Sequence, residues 1–314
     1  MNDLISIKQK NEVGNLKGLS DNLIQDFTAF IDASPRTVRA YTVDLRQFFK
    51  YMLDNGISKP VREDIIAFKR ELVAEGKKPT TIQNYIIAVR QFFKWTESAG
   101  IYPNVASNIK GAKLNNDFKK DPLTSKQAKK LLGSIEQDTL TGKRDYAVVC
   151  LLLTTGLRTI ELNRALIEDI RPLGDDLVLY VQGKGRTEKT EVVKLSDHVQ
   201  QALNSYLMAR GTVQDKDPLF TATGNRGQGK SLTTTSISRI VKTRLRAIGL
   251  NSDRLTAHSL RHTAGTLNLL NGGTLEETQQ LLRHKNLQTT LIYAHNLDRA
   301  KNDSEQRITD AIFN

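Results

Sequence analysis

The sequence predicts a mainly helical protein of two domains with a small antiparallel β element. Its 314 residues are enough for two domains of about 150 residues each. Apolar residues recur at helical spacing through the first hundred residues, and residues 103–122 then lack periodicity and contain Pro, Gly, Asn and Lys, which is typical of a linker. Beyond it, residues 176–195 alternate apolar and polar side chains around a glycine-rich turn, as in a β-hairpin.

Four helices are predicted before the linker. The second begins at Ser34, a suitable N-cap, with Pro35 at the first helical position, where its missing N–H costs little. The third covers residues 62–74, and the fourth ends near Gly100. The first begins at Ser20 and carries five apolar residues on one side: Leu23, Ile24, Phe27, Phe30 and Ile31.

When the second helix is plotted at about 100° per residue, its basic residues lie in a narrow sector beside its apolar face. The apolar face can pack while the basic one binds phosphates, although a solvated basic face explains the pattern equally well. With two residues of the fourth helix, the candidate phosphate-binding residues are Arg36, Arg39, Arg46, Lys50, Arg90 and Lys94.

Composition narrows the function classes. A net charge of +12, spread over both halves of the chain, suits a polyanion such as nucleic acid, although an evenly basic surface without a ligand has the same composition. The single cysteine, Cys150, excludes a disulfide framework. Residues 1–19 are polar, unlike a signal peptide, and no apolar run reaches the ~20 residues of a membrane helix. We therefore expect a cytoplasmic, nucleoid-associated protein without a membrane partner.

Helix and strand signals continue after the linker. Thr124 to Gln127 and Thr274 to Glu277 both have the capping-box pattern. An apolar helix is predicted near residues 146–155, and another begins after Ser196.

Four separated segments carry the candidate chemistry: TTGLRTIEL (154–162), GKGRTEK (183–189), HSLRHT (258–263) and LLRHKNLQTTLIYAH (281–295). In their order and spacing the chain resembles the tyrosine recombinase, or phage integrase, family, in particular its short Xer-like members. The resemblance covers the chain after residue 20. It implies a flexible extension (1–19), a helical, SAM-like core-binding domain (20–105), a linker (106–122) and a mixed α+β catalytic domain with a C-terminal tail helix (123–314). The two domains are expected to form a C-shaped clamp on duplex DNA.

The resemblance also assigns roles within the catalytic domain. Tyr293 is the implied nucleophile and Glu161 the residue that supports the first arginine. The remaining catalytic positions are Arg158, Lys184, His258, Arg261 and His284. The resemblance implies that neither a metal nor another cofactor takes part. It also implies that strands are cleaved through a 3′-phosphotyrosine and joined through a Holliday junction.

These residue types suit phosphoryl transfer. Guanidiniums are planar, permanently charged forks that can bind the non-bridging oxygens of a phosphodiester. A phenol with a pKa near 10 needs help to lose its proton, and we choose His258 as the general base. Lys184, on the hairpin, is expected to protonate the departing 5′-oxygen, and His284 to hydrogen-bond the scissile phosphate.

Each residue also has an ordinary interpretation. Arg158 could be a surface arginine at a helix start, Lys184 a turn lysine, and Tyr293 a core tyrosine. His258 and His262 are four residues apart, which could suggest a metal pair, but no Glu follows His258 as in the HExxH motif. His262 is therefore expected to be structural.

The family's partners are double-stranded DNA at specific core sites and three further subunits, in a homotetramer on two DNA sites. Residues 300–314 contain an apolar stripe of Ile308, Ile312 and Phe313. It can dock on a neighbouring subunit, or pack on its own domain. An accessory directionality factor is a further possible partner. Two other functions stay open: a type IB topoisomerase-like relaxer, and a DNA-binding regulator without catalysis. Dimer resolution, transposon resolution and integration are equally compatible with the sequence.

Overall fold

The structure is a computed structural model. It describes residues 19–113, 120–183, 186–224, 227–300 and 303–313, and for 19–22 and 295–300 it describes the backbone alone. The chain divides into two compact units, residues 1–116 and 117–314. None of the helices in these ranges is long and apolar enough to cross a membrane.

The first unit is a small helical bundle. Its helices are α1 (Leu19–Phe30), α2 (Pro35–Asp54), α3 (Arg62–Ala74) and α4 (Pro79–Ser98). Ser34 caps α2 as predicted, because its hydroxyl accepts a hydrogen bond from the backbone N–H of Thr37.

Aromatic rings form the core of this bundle. The Phe49 and Phe92 rings meet edge to face with centroids 5.3 Å apart, and Phe48 and Phe93 do so at 5.9 Å. Such edge-to-face contacts add to the free energy gained by burying the rings. Phe30, one of the five apolar residues on one side of the first helix, does not join this core, because it is the last residue of α1 and is 61% exposed.

Part of the predicted linker packs on this bundle. Ala106 and Ile109 are buried in the same core. The Lys69 ammonium donates to the carbonyl oxygens of Lys110 and Gly111 at 2.8 and 3.1 Å. The predicted domain bounds remain predictions.

The second unit combines helices with one three-stranded antiparallel sheet in the order β1–β2–β3. The predicted hairpin is β2 and β3, with Val178 opposite Lys194 and Val181 opposite Glu191. The strands are β1 (Ile170–Leu173), β2 (Asp176–Val181) and β3 (Glu191–Lys194). The helices are α5 (Ser125–Gly133), α6 (Leu140–Thr155), α7 (Thr159–Arg164), α8 (Asp197–Arg210), α9 (Thr234–Ala247), α10 (Ala257–Leu270), α11 (Leu275–Leu282), α12 (Gln288–Ala300) and α13 (Ser304–Phe313).

Helix α6 is the centre of the second core. Its residues from Ala147 to Leu153 are all buried, and α8 and α10 pack against it. Both predicted capping boxes are present. Thr124 and Gln127 bond reciprocally at the start of α5, and Thr274 and Glu277 do so at the start of α11. The carbonyl oxygen of Gly156, directly after α6, accepts hydrogen bonds from Arg261 of α10 and from Arg283, so the end of α6 lies beside the candidate site.

Candidate active site

The predicted catalytic residues come together in the second unit from several chain segments. Arg158 is the N-cap of α7, and His258 and Arg261 lie in the first turns of α10. His284 follows α11, and Tyr293 lies on α12. Lys184, the remaining catalytic residue of the prediction, lies outside the described residues.

Glu161 holds Arg158 in two ways. One carboxylate oxygen accepts the Arg158 backbone N–H at 2.8 Å, and the other accepts the guanidinium at 2.7 Å. Burial alone would raise the pKa of Glu161, but the nearby charge of Arg283 and the hydrogen bonds and charge of Arg158 outweigh it, so the pKa is lowered. The carboxylate therefore stays ionised and fixes the orientation of the half-buried Arg158.

Arg261 is almost completely buried, with 1% of its surface exposed. Its guanidinium donates to the carbonyl oxygens of Gly156 and Leu282. Burial, together with the charges of Arg158 and Arg283, lowers the pKa of Arg261 to about 9. It remains cationic at neutral pH, and because its two bonding partners are neutral carbonyls, an incoming anion is attracted to it.

Histidine rings surround the predicted nucleophile. The His262 ring centroid is 5.4 Å from that of Tyr293 and 4.6 Å from that of His258. The His284 and Tyr293 ring centroids are 6.2 Å apart, and the ring planes differ by 28°. Nδ1 of His284 is 2.9 Å from the Thr290 hydroxyl.

These histidines are held in the neutral form. Burial, then neighbouring positive charge, lowers the pKa of His262 to about 3 and that of His284 to about 4. His258 is exposed, yet partial loss of hydration and the charges of Arg261 and Arg158 lower its pKa as well. Neutral imidazole can accept a proton, as a general base must.

Tyr293 is buried, with 2% of its surface exposed, beside Ala264 and Leu282. Burial raises the pKa of Tyr293 to about 12, although the charges of Arg261 and Arg158 act in the opposite direction. A Cβ at Gly265 would stand 3.2 Å from the Tyr293 ring, so Gly265 makes room for the phenol. The site therefore presents a protonated phenol beside two cations and neutral bases.

A phenol, two guanidiniums and neutral imidazoles are groups that suit phosphoryl transfer, and two family models match the chain. Residues 122–300 match the model of the phage integrase family, and residues 24–100 match its N-terminal SAM-like domain. The chain belongs to the phage integrase family. It is a tyrosine recombinase, a site-specific DNA recombinase. Membership of this family favours neither of the two other functions, a type IB topoisomerase-like relaxer or a DNA-binding regulator without catalysis.

Similar recombinases illustrate the relationship. The tyrosine recombinase XerC of Chlamydia caviae is 30% identical over 304 residues, which is 87% of this chain and 95% of that protein. The XerH recombinase bound to its palindromic difH substrate after cleavage has a TM-score of 0.70 at 23% identity, over 93% of this chain and 84% of that one. A lambda integrase tetramer bound to a Holliday junction has a TM-score of 0.66 at 17% identity, over 87% and 76%. The XerH and lambda integrase structures share the fold of this chain.

Two charged residues beside the candidate site were not predicted. Arg283 has 7% of its side chain exposed and forms an ion pair with Glu161 at 3.1 Å. Glu191, at the start of β3, lies with its Oε2 3.9 Å from Nε of Arg283. Neither has a local sequence signal, because both depend on contacts with distant parts of the chain.

The described part of the hairpin between β2 and β3 makes two kinds of contact. Lys189 forms an ion pair with the buried Asp169 at 2.6 Å. The Gln182 amide donates to the carbonyl oxygens of Arg186 and Thr187. The first contact joins the hairpin to the rest of the domain, and the second lies within the hairpin.

The predicted DNA-binding residues of this recombinase are all exposed on α2 and α4. Lys50 forms an ion pair with Asp54 at the surface, where such a pair contributes little free energy and can exchange for a phosphate. That these side chains bind DNA stays a prediction; they are Arg36, Arg39, Arg46, Lys50, Arg90 and Lys94.

Proposed function

We propose that this recombinase cleaves DNA by attack of Tyr293 on a phosphodiester bound between Arg158 and Arg261. One observation carries the proposal: a buried phenol, two guanidiniums and neutral imidazoles converge in one site of the second unit. Preorganised charge aimed at developing negative charge is often the largest catalytic contribution. The guanidiniums also offset the repulsion between the phosphate and an incoming phenolate.

Cleavage exchanges one ester for another. The Tyr293 oxygen bonds to phosphorus, the bond to the 5′-oxygen breaks, and the product is a 3′-phosphotyrosine with a free 5′-hydroxyl. His258 accepts the phenolic proton, and Lys184 protonates the departing oxygen. The phosphoester energy is retained, so a 5′-hydroxyl of another strand can attack and rejoin without ATP.

His284 is proposed to hydrogen-bond the scissile phosphate. With a pKa of about 4, its ring carries one proton at neutral pH. If the Thr290 hydroxyl donates to Nδ1, the proton lies on Nε2 and can be donated to a phosphate oxygen. Thr290 thereby selects the tautomer that suits this role.

The burial of Tyr293 adds a conformational step to the proposal. A phosphate cannot reach a phenol that is 2% exposed and packed on Leu282. Helix α12 therefore shifts when DNA binds, which frees the phenol and removes the burial that raises its pKa.

We further propose that the protein recombines two specific core sites as a homotetramer through a Holliday junction. The lambda integrase tetramer on a Holliday junction and the XerH–difH complex support this. Dimer resolution, transposon resolution and integration all use this reaction, and an accessory directionality factor would set its direction.

The terminal helix α13 is the proposed contact between subunits. None of its residues is buried in the described chain, and Phe313 is 80% exposed. We expect a chain ending at residue 303 to keep its melting temperature and its DNA adduct formation, but to lose synapsis of two sites. Ile308→Asp should behave in the same way, and Gln306→Ala should not. Analytical ultracentrifugation on bound DNA measures the difference, and an unchanged tetramer would refute the contact.

The chemistry is tested on nicked duplexes carrying a site that the protein selects from a random DNA library. Wild-type protein should give a protein–DNA adduct on a denaturing gel, and Tyr293→Phe should give none while binding the same DNA. Tyr180→Phe, a tyrosine of β2 outside the site, is the matched control and should retain the adduct. Strand transfer by Tyr293→Phe would refute the proposal.

A further inference from the structure

Arg283 has an unusual backbone conformation. Among the described non-glycine residues, only Asn108 and Arg283 have positive φ, and Arg283 lies at φ 52° and ψ 49°. A side chain in this left-handed region costs conformational free energy, and residues held there often lie at functional sites. The contacts of the guanidinium can offset this cost.

One set of contacts holds the Arg158–Glu161 pair. The guanidinium donates to Glu161 Oε2 at 3.1 Å and to the Leu281 carbonyl at 2.7 Å. The Arg283 carbonyl itself accepts from the Arg158 guanidinium at 3.3 Å. Both the side chain and the backbone of Arg283 thus support the arginine that is proposed to bind the phosphate.

A second contact reaches the hairpin. Nε of Arg283 and Oε2 of Glu191 are 3.9 Å apart, beyond hydrogen-bonding distance. Both atoms are buried and lack a hydrogen-bond partner, which is costly for a charged donor and acceptor. The other Glu191 oxygen pairs with Arg186 at 3.2 Å. An approach of the hairpin by about 1 Å would complete the bond, given a usual length near 2.9 Å.

The Glu191 carboxylate lies beside Gly183, just after the end of the first hairpin strand. A Cβ at Gly183 would stand only 2.8 Å from Glu191 Oε2. Gly183 immediately precedes Lys184 in the chain. The carboxylate that faces Arg283 therefore lies close to Gly183, which is one residue before the proposed proton donor in the sequence.

We propose that Arg283 is a positioning residue for strand cleavage. It ties the Arg158–Glu161 pair to Glu191 of β3, and so sets the spacing between the phosphate-binding arginine and this strand of the hairpin. Arg283 does not touch the reacting atoms in this proposal. The inference rests on the proposed function, because it takes Tyr293 as nucleophile and Arg158 as phosphate ligand.

Arg283→Gly isolates the guanidinium, because glycine adopts the left-handed conformation without strain. We expect adduct formation at saturating protein to slow by about 10- to 100-fold, the size of effect that a misplaced catalytic group produces. The dissociation constant for DNA should change by less than about 3-fold, since the variant retains every phosphate-binding side chain. Arg283→Lys should recover the melting temperature but not the rate, because an ammonium cannot bridge two carboxylates as a planar fork does.

Glu191→Gln tests the hairpin side and leaves the Arg283–Glu161 pair intact, so it remains informative if Arg283→Gly folds poorly. It should slow cleavage, and Arg283→Gly/Glu191→Gln should be no slower than Arg283→Gly alone. The link would be overturned if the effects of the two substitutions on the cleavage rate multiplied in the double variant. It would also be overturned if Glu191→Gln cleaved at the wild-type rate.

A purely structural role gives a different pattern. If Arg283 only stabilises the fold, Arg283→Lys should regain the rate together with the melting temperature, and that outcome also overturns the proposal. Failure of the proposed function is distinguishable, because then the wild-type protein itself forms no adduct that depends on Tyr293. A wild-type adduct with an undiminished rate in Arg283→Gly would refute the positioning role alone.

Discussion

At the scale of single residues, burial and neighbouring charge set the protonation states on which the chemistry depends. The phenol of Tyr293 has a pKa of about 12 and stays protonated at neutral pH, so attack requires a base. His258 has a lowered pKa because it is partly dehydrated and faces Arg261 and Arg158. A lower pKa favours the neutral ring, the form that can take the proton.

The pH dependence of cleavage follows from the lowered pKa of His258. The rate at subsaturating protein, which reports groups of the free enzyme, should stay level as pH falls from 8 to 6.5. It should then decline at more acidic pH, as His258 becomes protonated. His258→Gln should slow cleavage and remove the decline assigned to His258. His198→Gln, an exposed histidine on α8, should change neither. A decline centred above pH 6.5 that survives in His258→Gln would contradict the assignment.

At the scale of secondary structure elements, close packing of α10 against α11 and α12 places the nucleophile. Gly265 on α10 allows this approach, since a Cβ there would stand 2.8 Å from Leu282 Cδ1 as well as 3.2 Å from Tyr293 Cε1. Neither side chain can withdraw into solvent, because both are buried.

Gly265→Ala should therefore lower the free energy of unfolding. Overpacking costs about 1–3 kcal/mol, and the better helix propensity of alanine returns about 1 kcal/mol. Cleavage should slow as well, because the phenol is displaced. Gly133→Ala in α5 is the control, since its Cβ would meet nothing within 4 Å. Equal stability and equal rates in the two variants, measured by urea unfolding and adduct formation, would contradict the packing argument.

The elements that sequence predicts well are those with local signals. Ser34, Thr124 and Thr274 each mark a helix start through bonds within one turn. The alternation around residues 176–195 likewise marks the hairpin. Phe30 shows the limit of periodicity: it is apolar at helical spacing, but α1 ends there and the side chain stays 61% exposed.

The catalytic set was predicted by resemblance, while its supporting contacts were not. Arg283 joins Glu161, which lies more than a hundred positions earlier in the chain, and approaches Glu191 on a strand. Gly265 leaves room for the Tyr293 ring, which lies on another helix. Such roles arise from tertiary packing, so no spacing in the sequence predicts them.

At the scale of the whole molecule, a net charge of +12 favours binding to a polyanion, and the exposed basic residues of α2 and α4 are the proposed phosphate ligands. Arg39→Ala and Arg90→Ala, each in the Tyr293→Phe background, should lower the slope of log K against log salt by about 0.9 per lost phosphate contact. Lys77→Ala removes an exposed lysine that pairs with Glu75 and serves as the control. Fluorescence anisotropy from 50 to 300 mM salt, as a rough range, measures the slopes. Slopes equal to that of the control would exclude these residues from the interface.

The central claim is that Tyr293 becomes joined to the 3′ end of a cleaved DNA strand. The most direct measurement is peptide mapping by mass spectrometry of the adduct formed on a nicked core site, after nuclease and protease digestion. The account predicts a nucleotide phosphate on the peptide that contains Tyr293, together with a free 5′-hydroxyl on the released strand that polynucleotide kinase can label. A modified tyrosine elsewhere in the chain, or attachment through a 5′-phosphate, would contradict it.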